Sequence, residues 1–177
     1  SDELKCIVNR LFPSATIEVN FIDANKLFDL YNTGSDSTEE LNLIGSMVLT
    51  DKDYIGLVNV GTYFDFITDD SGRLIQVYFD SNVRDYQGHN IVNTSIAETL
   101  SDRTKQGDFW WFNNGVTILA SDIRLITQNK IIIENPEIVN GQQTSREIFN
   151  YFTANPELKQ SEVRNVLVRI IKPNNEE

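Results

Sequence analysis

Two Asn-Gly turns, each beside a strand-like apolar segment, constrain the fold of this chain more than any other feature. One lies in the Asn-Asn-Gly stretch at residues 113–115, and the other opens the Asn-Gly-Gln-Gln-Thr-Ser stretch at 140–145, which runs into a helical pattern. Asn-Gly favours a tight turn because glycine accepts positive φ. A strand, a Gly-containing polar loop and a helix N-terminus form a common metal-free anion site, usually for phosphate. The sequence therefore predicts such a site at these turns.

The second turn has two interpretations. In the functional one, Gly141 turns the backbone or lets a ligand approach closely, Gln142 and Gln143 add donors, and Arg146 supplies charge. In the structural one, the segment is an ordinary turn before a capped helix, since residues 144–147 (Thr-Ser-Arg-Glu) match the capping box. Two adjacent glutamines between a turn and a capping box have no evident packing purpose, which favours the functional interpretation.

The aromatic run at residues 109–112 (Phe-Trp-Trp-Phe) also has two interpretations. The flanks of a turn can anchor it in the core, and we expect Phe109 and Trp111 to be core residues. Alternatively, an aromatic face stacks a base while the neighbouring Asn amides read its edge. Four consecutive aromatic side chains cannot all point inward, so at least one is expected to face a cleft or a partner.

Arg84 is the candidate charged residue, because a guanidinium suits bidentate recognition of phosphate or carboxylate. Asp80 or Asp85 could equally pair with it as a structural ion pair. The full set of candidate ligand-binding residues is Arg84, Asn113, Asn114, Gly115, Asn140, Gly141, Gln142, Gln143 and Thr144. No catalytic residue is assigned and no metal site is predicted, since the single histidine (His89) and single cysteine (Cys6) make a weak donor set. Glu134 and Glu137 could hold a divalent cation, although acidic residues beside a turn are usually only a solvated surface.

Charge and composition limit the partners. The formal net charge of −11 argues against a broad nucleic-acid-binding surface, while a local basic groove is compatible with it. No apolar run is long enough to span a membrane, and the start has no signal-peptide pattern. The lone cysteine fits a cytoplasmic setting. A first residue other than Met and a polar end suggest a fragment of a longer protein.

The hydrophobic periodicity predicts an α+β domain with a mixed, partly antiparallel sheet and flanking helices. Helices are expected at residues 2–11, 23–31, 62–67, 93–100 and 144–152. Strands are expected at residues 16–21, 43–50, 54–60, 74–79, 116–120, 122–127, 131–133, 137–139 and 166–171. Turns at 51–53 and 128–130 should make hairpins of the strands beside them.

An ordered series of motifs resembles one known family. Its members are Asn82-x-Arg84, Asn93-x-x-Ile96-x-x-Thr99-Leu100, Phe109-Trp110-x-x-Asn113-Asn114-Gly115-Val116-Thr117-Ile118 and Ile138-Val139-Asn140-Gly141-Gln142-Gln143-Thr144-Ser145. Together they are similar to the abortive-infection phage-resistance (AIPR) family, over residues 21–171. More distantly, the second turn resembles the Asp-Gly-Gln-Gln/His-Arg turn of domains akin to the chromosome-partition nucleotide-binding fold. Here Asn140 replaces the acidic residue and Thr144 the basic one, which favours binding over cutting.

The resemblance implies a bacterial or archaeal, cytoplasmic protein of phage defence. It also implies a single AIPR-like domain fragment over residues 1–177, with a nuclease-like region before it and a continuation after it in the full-length protein. We expect this domain to bind or sense a nucleotide or nucleic acid through the two turns. One alternative is a metal-dependent phosphodiesterase or nucleotide hydrolase, with Mg²⁺ held by Asp80, Asp85 or Glu137. The other is a protein-interaction scaffold that regulates a separate nuclease domain through the Trp110-Trp111 region.

Overall fold

The structure, a computed structural model, describes residues 37–50, 53–80, 91–102 and 108–173. The expected helices at 2–11 and 23–31 and the expected strand at 16–21 lie outside these ranges. So do Arg84, Asp85 and His89. The described residues all belong to one compact unit, Asp36–Glu177.

Eight strands form two sheets in the described part of the chain. The larger sheet has five strands in the order β2-β3-β8-β4-β7, and the smaller has three in the order β1-β6-β5. The strands are β1 Thr38–Asn42, β2 Ser46–Thr50, β3 Asp53–Asn59, β4 Val116–Leu119, β5 Asp122–Thr127, β6 Lys130–Glu134, β7 Glu137–Asn140 and β8 Asn165–Ile171. Both expected hairpins, β2–β3 and β5–β6, are confirmed as antiparallel pairs.

Strand β8 is the centre of the larger sheet, since it pairs antiparallel with β3 and parallel with β4. Its residues alternate, and Val166, Val168 and Ile170 are fully buried on one face. This alternation is the period-two pattern of a strand with one buried face. The sheet is therefore mixed, and the predicted α+β class is confirmed.

Three α-helices and three short 3₁₀ helices accompany the sheets in the described ranges. They are α1 Val60–Phe66, α2 Ile91–Ser101 and α3 Gln142–Ala154, with 3₁₀ turns at Gln76–Phe79, Phe109–Phe112 and Pro156–Ser161. Asn59 caps α1, because its side-chain oxygen accepts from the amides of Gly61 and Thr62. Helix α3 packs against α1, α2 and β4, which places its first turn beside the sheet.

One predicted strand is wrong and one observed strand was not predicted. Residues 74–79 were expected to be a strand, but Gln76–Phe79 is a 3₁₀ helix and Leu74 makes only an isolated bridge to Thr68. Tyr78 and Phe79 are both buried, which two consecutive strand residues cannot achieve when only one face is covered. Strand β1 was missed because only Leu41 of its five residues is apolar.

A buried ion pair joins the start of β8 to the end of α2. Glu162 and Arg164 lie 2.7 Å apart, and the Glu162 side chain is completely buried. Arg164 Nη1 also donates to the last-turn carbonyls of Thr99 and Leu100, where a cation favours the helix dipole. The hydrogen bond with Glu162 raises the pKa of Arg164 above its ordinary value, so its charge is fixed.

Candidate ligand-binding site

The two Asn-Gly turns lie against each other. Strand β4 starts directly after Gly115, β7 ends at Asn140, and the two strands are antiparallel with Thr117 opposite Asn140. A methyl group on Gly141 would lie 2.7 Å from the carbonyl oxygen of Gly115 and 2.9 Å from the Cα of Val116. The backbones of the two turns are therefore in contact, and any larger residue at 141 would separate them.

Both glycines also have a backbone conformation that L-residues rarely adopt, with φ of +74° at Gly115 and +92° at Gly141. A methyl group on Gly115 would overlap the carbonyl oxygen of Leu167 in β8. Positive φ and close backbone approach together explain why glycine occupies both positions. The junction is thus built from three strands, β4, β7 and β8.

The three asparagines have different surroundings. Asn113 is half-buried, and its Nδ2 donates to the carbonyl oxygen of Phe109 at 2.8 Å, which ties the loop to the preceding 3₁₀ helix. The side chains of Asn114 and Asn140 are exposed. The carbonyl oxygen of Asn114 accepts from Arg169 Nη1 at 2.9 Å. Asn114 and Asn140 are therefore the amides in position to contact a ligand, whereas the Asn113 amide nitrogen already holds the loop.

Helix α3 starts two residues earlier than predicted, at Gln142. Its N-cap is Gly141, which makes no side-chain capping bond, so the predicted capping box at residues 144–147 is wrong. The first intrahelical bond runs from the amide of Ser145 to the carbonyl oxygen of Gly141 at 2.9 Å. The amides of Gln142, Gln143 and Thr144 thus have no intrahelical acceptor, and the helix dipole adds partial positive charge there.

Gln142 and Gln143 are half-buried at this helix start. In each side chain the amide oxygen is inaccessible to solvent and has no hydrogen-bond partner among the described residues. Buried polar atoms are usually hydrogen-bonded, so two adjacent exceptions require an explanation. Because neither oxygen is accessible, a ligand donor could reach it only after the side chain turns outward. Thr144 is buried as the third helical residue, which leaves its backbone amide as its contribution to the site.

A buried hydrogen-bond chain fixes the Gly141 turn to α1. Ser145 Oγ donates to the carbonyl oxygen of Gly141 at 2.9 Å and is 2.7 Å from the hydroxyl of Tyr63. Because the only Ser145 hydroxyl proton is used, the Tyr63 hydroxyl must donate. Burial raises the pKa of Tyr63 well above its ordinary value. The phenol is thus neutral and remains a donor.

The structure does not place either of the two arginines considered from the sequence, Arg84 and Arg146, at the two turns. Arg146 Nη2 donates to Gln76 Oε1 at 2.8 Å, and its guanidinium lies over the Phe79 ring, 5.4 Å from the centroid. Its charge is thus directed to the 3₁₀ helix Gln76–Phe79. Arg84 lies outside the described residues and stays a prediction.

Arg169 is the residue that sequence reasoning missed. It lies in β8 with Thr117 of β4 as its register neighbour, and it contacts the Asn114 loop. The available signal was a lone cation inside the apolar run 166–171. The pairing of β8 with β4 brings it to the turns, and no local pattern encodes that pairing.

The aromatic run forms the 3₁₀ helix Phe109–Phe112 immediately before the first turn. Phe109 is buried, as predicted, but Trp111 is 68% exposed, so its predicted core role is wrong. The rings of Trp110 and Trp111 stack with centroids 4.1 Å apart. A 3₁₀ helix of four residues turns its side chains in different directions, which explains why one ring faces inward and another outward.

Acidic side chains are scattered in the part of the chain that the structure describes. No three His, Cys, Asp or Glu residues within those ranges come close enough to hold a metal ion together. Glu134 pairs with Arg124 at 2.8 Å, and Glu137 and Asp80 are exposed. Asp85, the third carboxylate considered for Mg²⁺, lies outside the described residues.

Fold and site together define an α+β domain with a candidate binding junction where a strand, a glycine turn and a helix meet. The chain belongs to the AIPR protein family, whose model matches residues 79–177, more than half of its length. Family membership supports a role in abortive infection and phage resistance. No curated protein and no solved structure shows significant similarity to the chain. None of the helices in the described ranges is long and apolar enough to cross a membrane.

Proposed function

We propose that this domain binds a nucleotide or a nucleic-acid end at the junction of the two turns and thereby acts as a sensing element in phage defence. The contact between Gly115 and Gly141 carries the proposal, because it brings together two polar turns that are 26 residues apart in sequence. Bacterial cytoplasm is the setting that fits this role.

Several features of the junction suit an anionic ligand. The first turn of α3 offers backbone amides at its positive end, and its N-cap, Gly141, has no side chain to cap them. Exposed side-chain amides at Asn114 and Asn140 supply neutral hydrogen-bond donors and acceptors. The net charge of −11 restricts the ligand to a small or terminal anionic group, since an extended polyanion would be repelled.

The test is a binding panel with wild type and matched asparagine variants. ATP, ADP, AMP and a ten-nucleotide oligothymidylate, each with and without Mg²⁺, are titrated by calorimetry and by thermal shift. Asn140→Ala and Asn114→Ala should each weaken binding about tenfold, the value of one hydrogen bond to a charged group. Asn129→Ala is the control, because Asn129 is an exposed turn asparagine in the β5–β6 hairpin.

Two further outcomes separate the proposals. Arg84→Ala should also weaken binding if the sequence-based assignment of that residue is right. Release of product during incubation, abolished by chelation, would instead support the hydrolase alternative. Absence of binding by wild type across the whole panel would contradict the proposed function.

The exposure of Trp111 favours a second candidate, an interaction scaffold for the nuclease-like region expected in the full-length protein. Trp111 and Phe112 are exposed side by side, and aromatic residues are enriched at protein–protein contacts. In this case Trp111→Ser should abolish nuclease regulation in the full-length protein while leaving binding of the nucleotide panel unchanged. Loss of nucleotide binding in Trp111→Ser would assign the ring to the ligand site.

A further inference from the structure

We infer that Arg169 is the charged residue of the two-turn site and that it binds a phosphate group of the ligand. This inference rests on the proposed function and deepens it, because it assigns the ligand's recognised group. In this assignment the backbone amides and the asparagines still supply neutral hydrogen bonds, and Arg169 adds the positive charge.

The register of the larger sheet places Arg169 beside both turns. Arg169 is the neighbour of Thr117 across the β8–β4 pair, and Thr117 is opposite Asn140 across the β4–β7 pair. The β4–β7 pairing shifts register between Thr117 and Ile118, so Asn140 lies beside Thr117 at an irregular end of β7, one strand further from Arg169. Two strand spacings put the Cα atoms of Arg169 and Asn140 roughly 10 Å apart, a distance that an arginine side chain and a phosphate can bridge.

Arg169 forms no ion pair with a carboxylate among the described residues. Six of the other lysines and arginines in the described ranges form ion pairs with Asp or Glu, and Arg146 donates to Gln76. The six are Arg73, Arg124, Lys130, Lys159, Arg164 and Lys172. Arg169 donates instead to a neutral acceptor, the carbonyl oxygen of Asn114. In a chain of net charge −11, a half-exposed cation that pairs with no carboxylate among the described residues suits an external anion.

The chemistry of the guanidinium fits a phosphate. It has five N–H donors in a planar fork, and the bond to Asn114 uses one of them. The remaining donors can bind two phosphate oxygens side by side. That same bond holds the side chain against the first turn, so little rotamer freedom is lost when the ligand binds.

The experiment compares Arg169→Gln, Arg169→Lys and wild type against ATP, the ten-nucleotide oligothymidylate and, as a phosphate-free probe, adenosine. Arg124→Gln is the control, since Arg124 is an exposed arginine in the other sheet. Wild type identifies which phosphate-bearing probe binds. We expect Arg169→Gln to weaken the affinity for that probe by about tenfold or more. Arg169→Lys retains the charge but not the fork, so it should lose several-fold. Arg124→Gln should bind every probe as wild type does. The affinity for adenosine should be the same in the Arg169 variants and in wild type.

Each result has a distinct meaning. If both Arg169 variants bind the phosphate-bearing probe with wild-type affinity, the inference is overturned. Arg169 then only supports the Asn114 loop, and the proposed function still stands. Equal losses for ATP and adenosine would also overturn it, because a purely structural role does not discriminate by phosphate. If Arg169→Gln does not fold, Arg169→Lys decides the matter alone. Failure of wild type to bind any phosphate-bearing probe would remove the proposed function itself.

Discussion

Gly141 and Gly72 share a left-handed backbone but differ in their surroundings. Gly72 has φ of +71° with nothing within 4 Å of an added methyl group, whereas a methyl on Gly141 would meet the backbone of the first turn. Glycine at residue 72 is thus required only by its positive φ. Glycine at residue 141 is required by its positive φ and also by the close approach of two backbone segments.

Alanine at these two positions should separate the two requirements. Gly72→Ala should cost about 1–2 kcal/mol, the penalty of a left-handed conformation for an L-residue. Gly141→Ala should cost roughly 1–3 kcal/mol more, because the methyl also overpacks the junction. Urea unfolding of both variants measures the difference. Equal losses would mean that the two turns separate freely.

At the scale of single residues, the sequence identifies the glycines and the exposed amides but not their roles. Asn-Gly turns are local chemistry, so Gly115 and Gly141 could be located from the chain alone. The engagement of Asn113 with Phe109 and the exposure of Trp111 depend on a 3₁₀ helix, which the aromatic run does not signal.

At the scale of elements, the start of β8 locks the end of α2 through Arg164. This side chain makes two bonds to α2 carbonyls and an ion pair with a buried carboxylate. Removal of the cation alone leaves the buried Glu162 carboxylate without its ion-pair partner. The element contact is therefore sensitive to the loss of one partner and much less sensitive to the loss of both.

Arg164→Met should destabilise the fold by about 3–5 kcal/mol, as expected when one partner of a buried pair is lost. Arg124→Met, the same change in the exposed pair with Glu134, should cost at most about 1 kcal/mol. The double variant Glu162→Gln with Arg164→Met should recover part of the loss. Chemical denaturation of wild type, Arg164→Met, Glu162→Gln and the double variant gives the coupling energy. A double variant that is as unstable as the sum of its singles would disprove the coupling.

Element positions were predictable where the hydrophobic period is strong. Helix α2, the β5–β6 hairpin and β8 follow patterns of apolar residues. The start of α3 was misplaced because Thr144 and Ser145 match a capping box, while the chain uses a left-handed glycine as its cap instead. The Ser145 hydroxyl instead hydrogen-bonds to the Gly141 carbonyl oxygen and to the Tyr63 hydroxyl. The bond to Tyr63 is a tertiary contact, which local sequence patterns do not predict.

At the scale of the whole molecule, β8 connects the two halves of the larger sheet. Strands β3 and β2 lie on one side of it, and β4 and β7 on the other. By contrast, β5 is an edge strand of the smaller sheet among the described strands, and its Leu125 and Ile126 are exposed. The stability of the fold should therefore be distributed unevenly.

Native-state hydrogen exchange should show this distribution. The amides of β8 should exchange only through global unfolding, with a protection free energy equal to that from urea denaturation. Amides of β5 should exchange through smaller openings. Mass spectrometry of peptides from the two strands is the measurement. Faster exchange in β8 than in β5 would show that the sheet does not depend on its central strand.

The whole-molecule arrangement was the least predictable level. The α+β class follows from the mixture of periods, but the parallel pairing of β4 with β8 joins segments about fifty residues apart. Sheet order is decided by tertiary packing, since β-propensity favours a strand without choosing its neighbours. This is the reason Arg169 was not among the predicted site residues.

The place of β8 has a consequence for synthesis. It is the last of the described strands in the sequence yet lies in the middle of its sheet, and chains leave the ribosome from the N-terminal end. Until residues 165–171 emerge, β3 and β4 have no common partner, and Gly115 lacks the Leu167 backbone against which it packs. A nascent chain therefore lacks the finished junction of the two turns until β8 has been made.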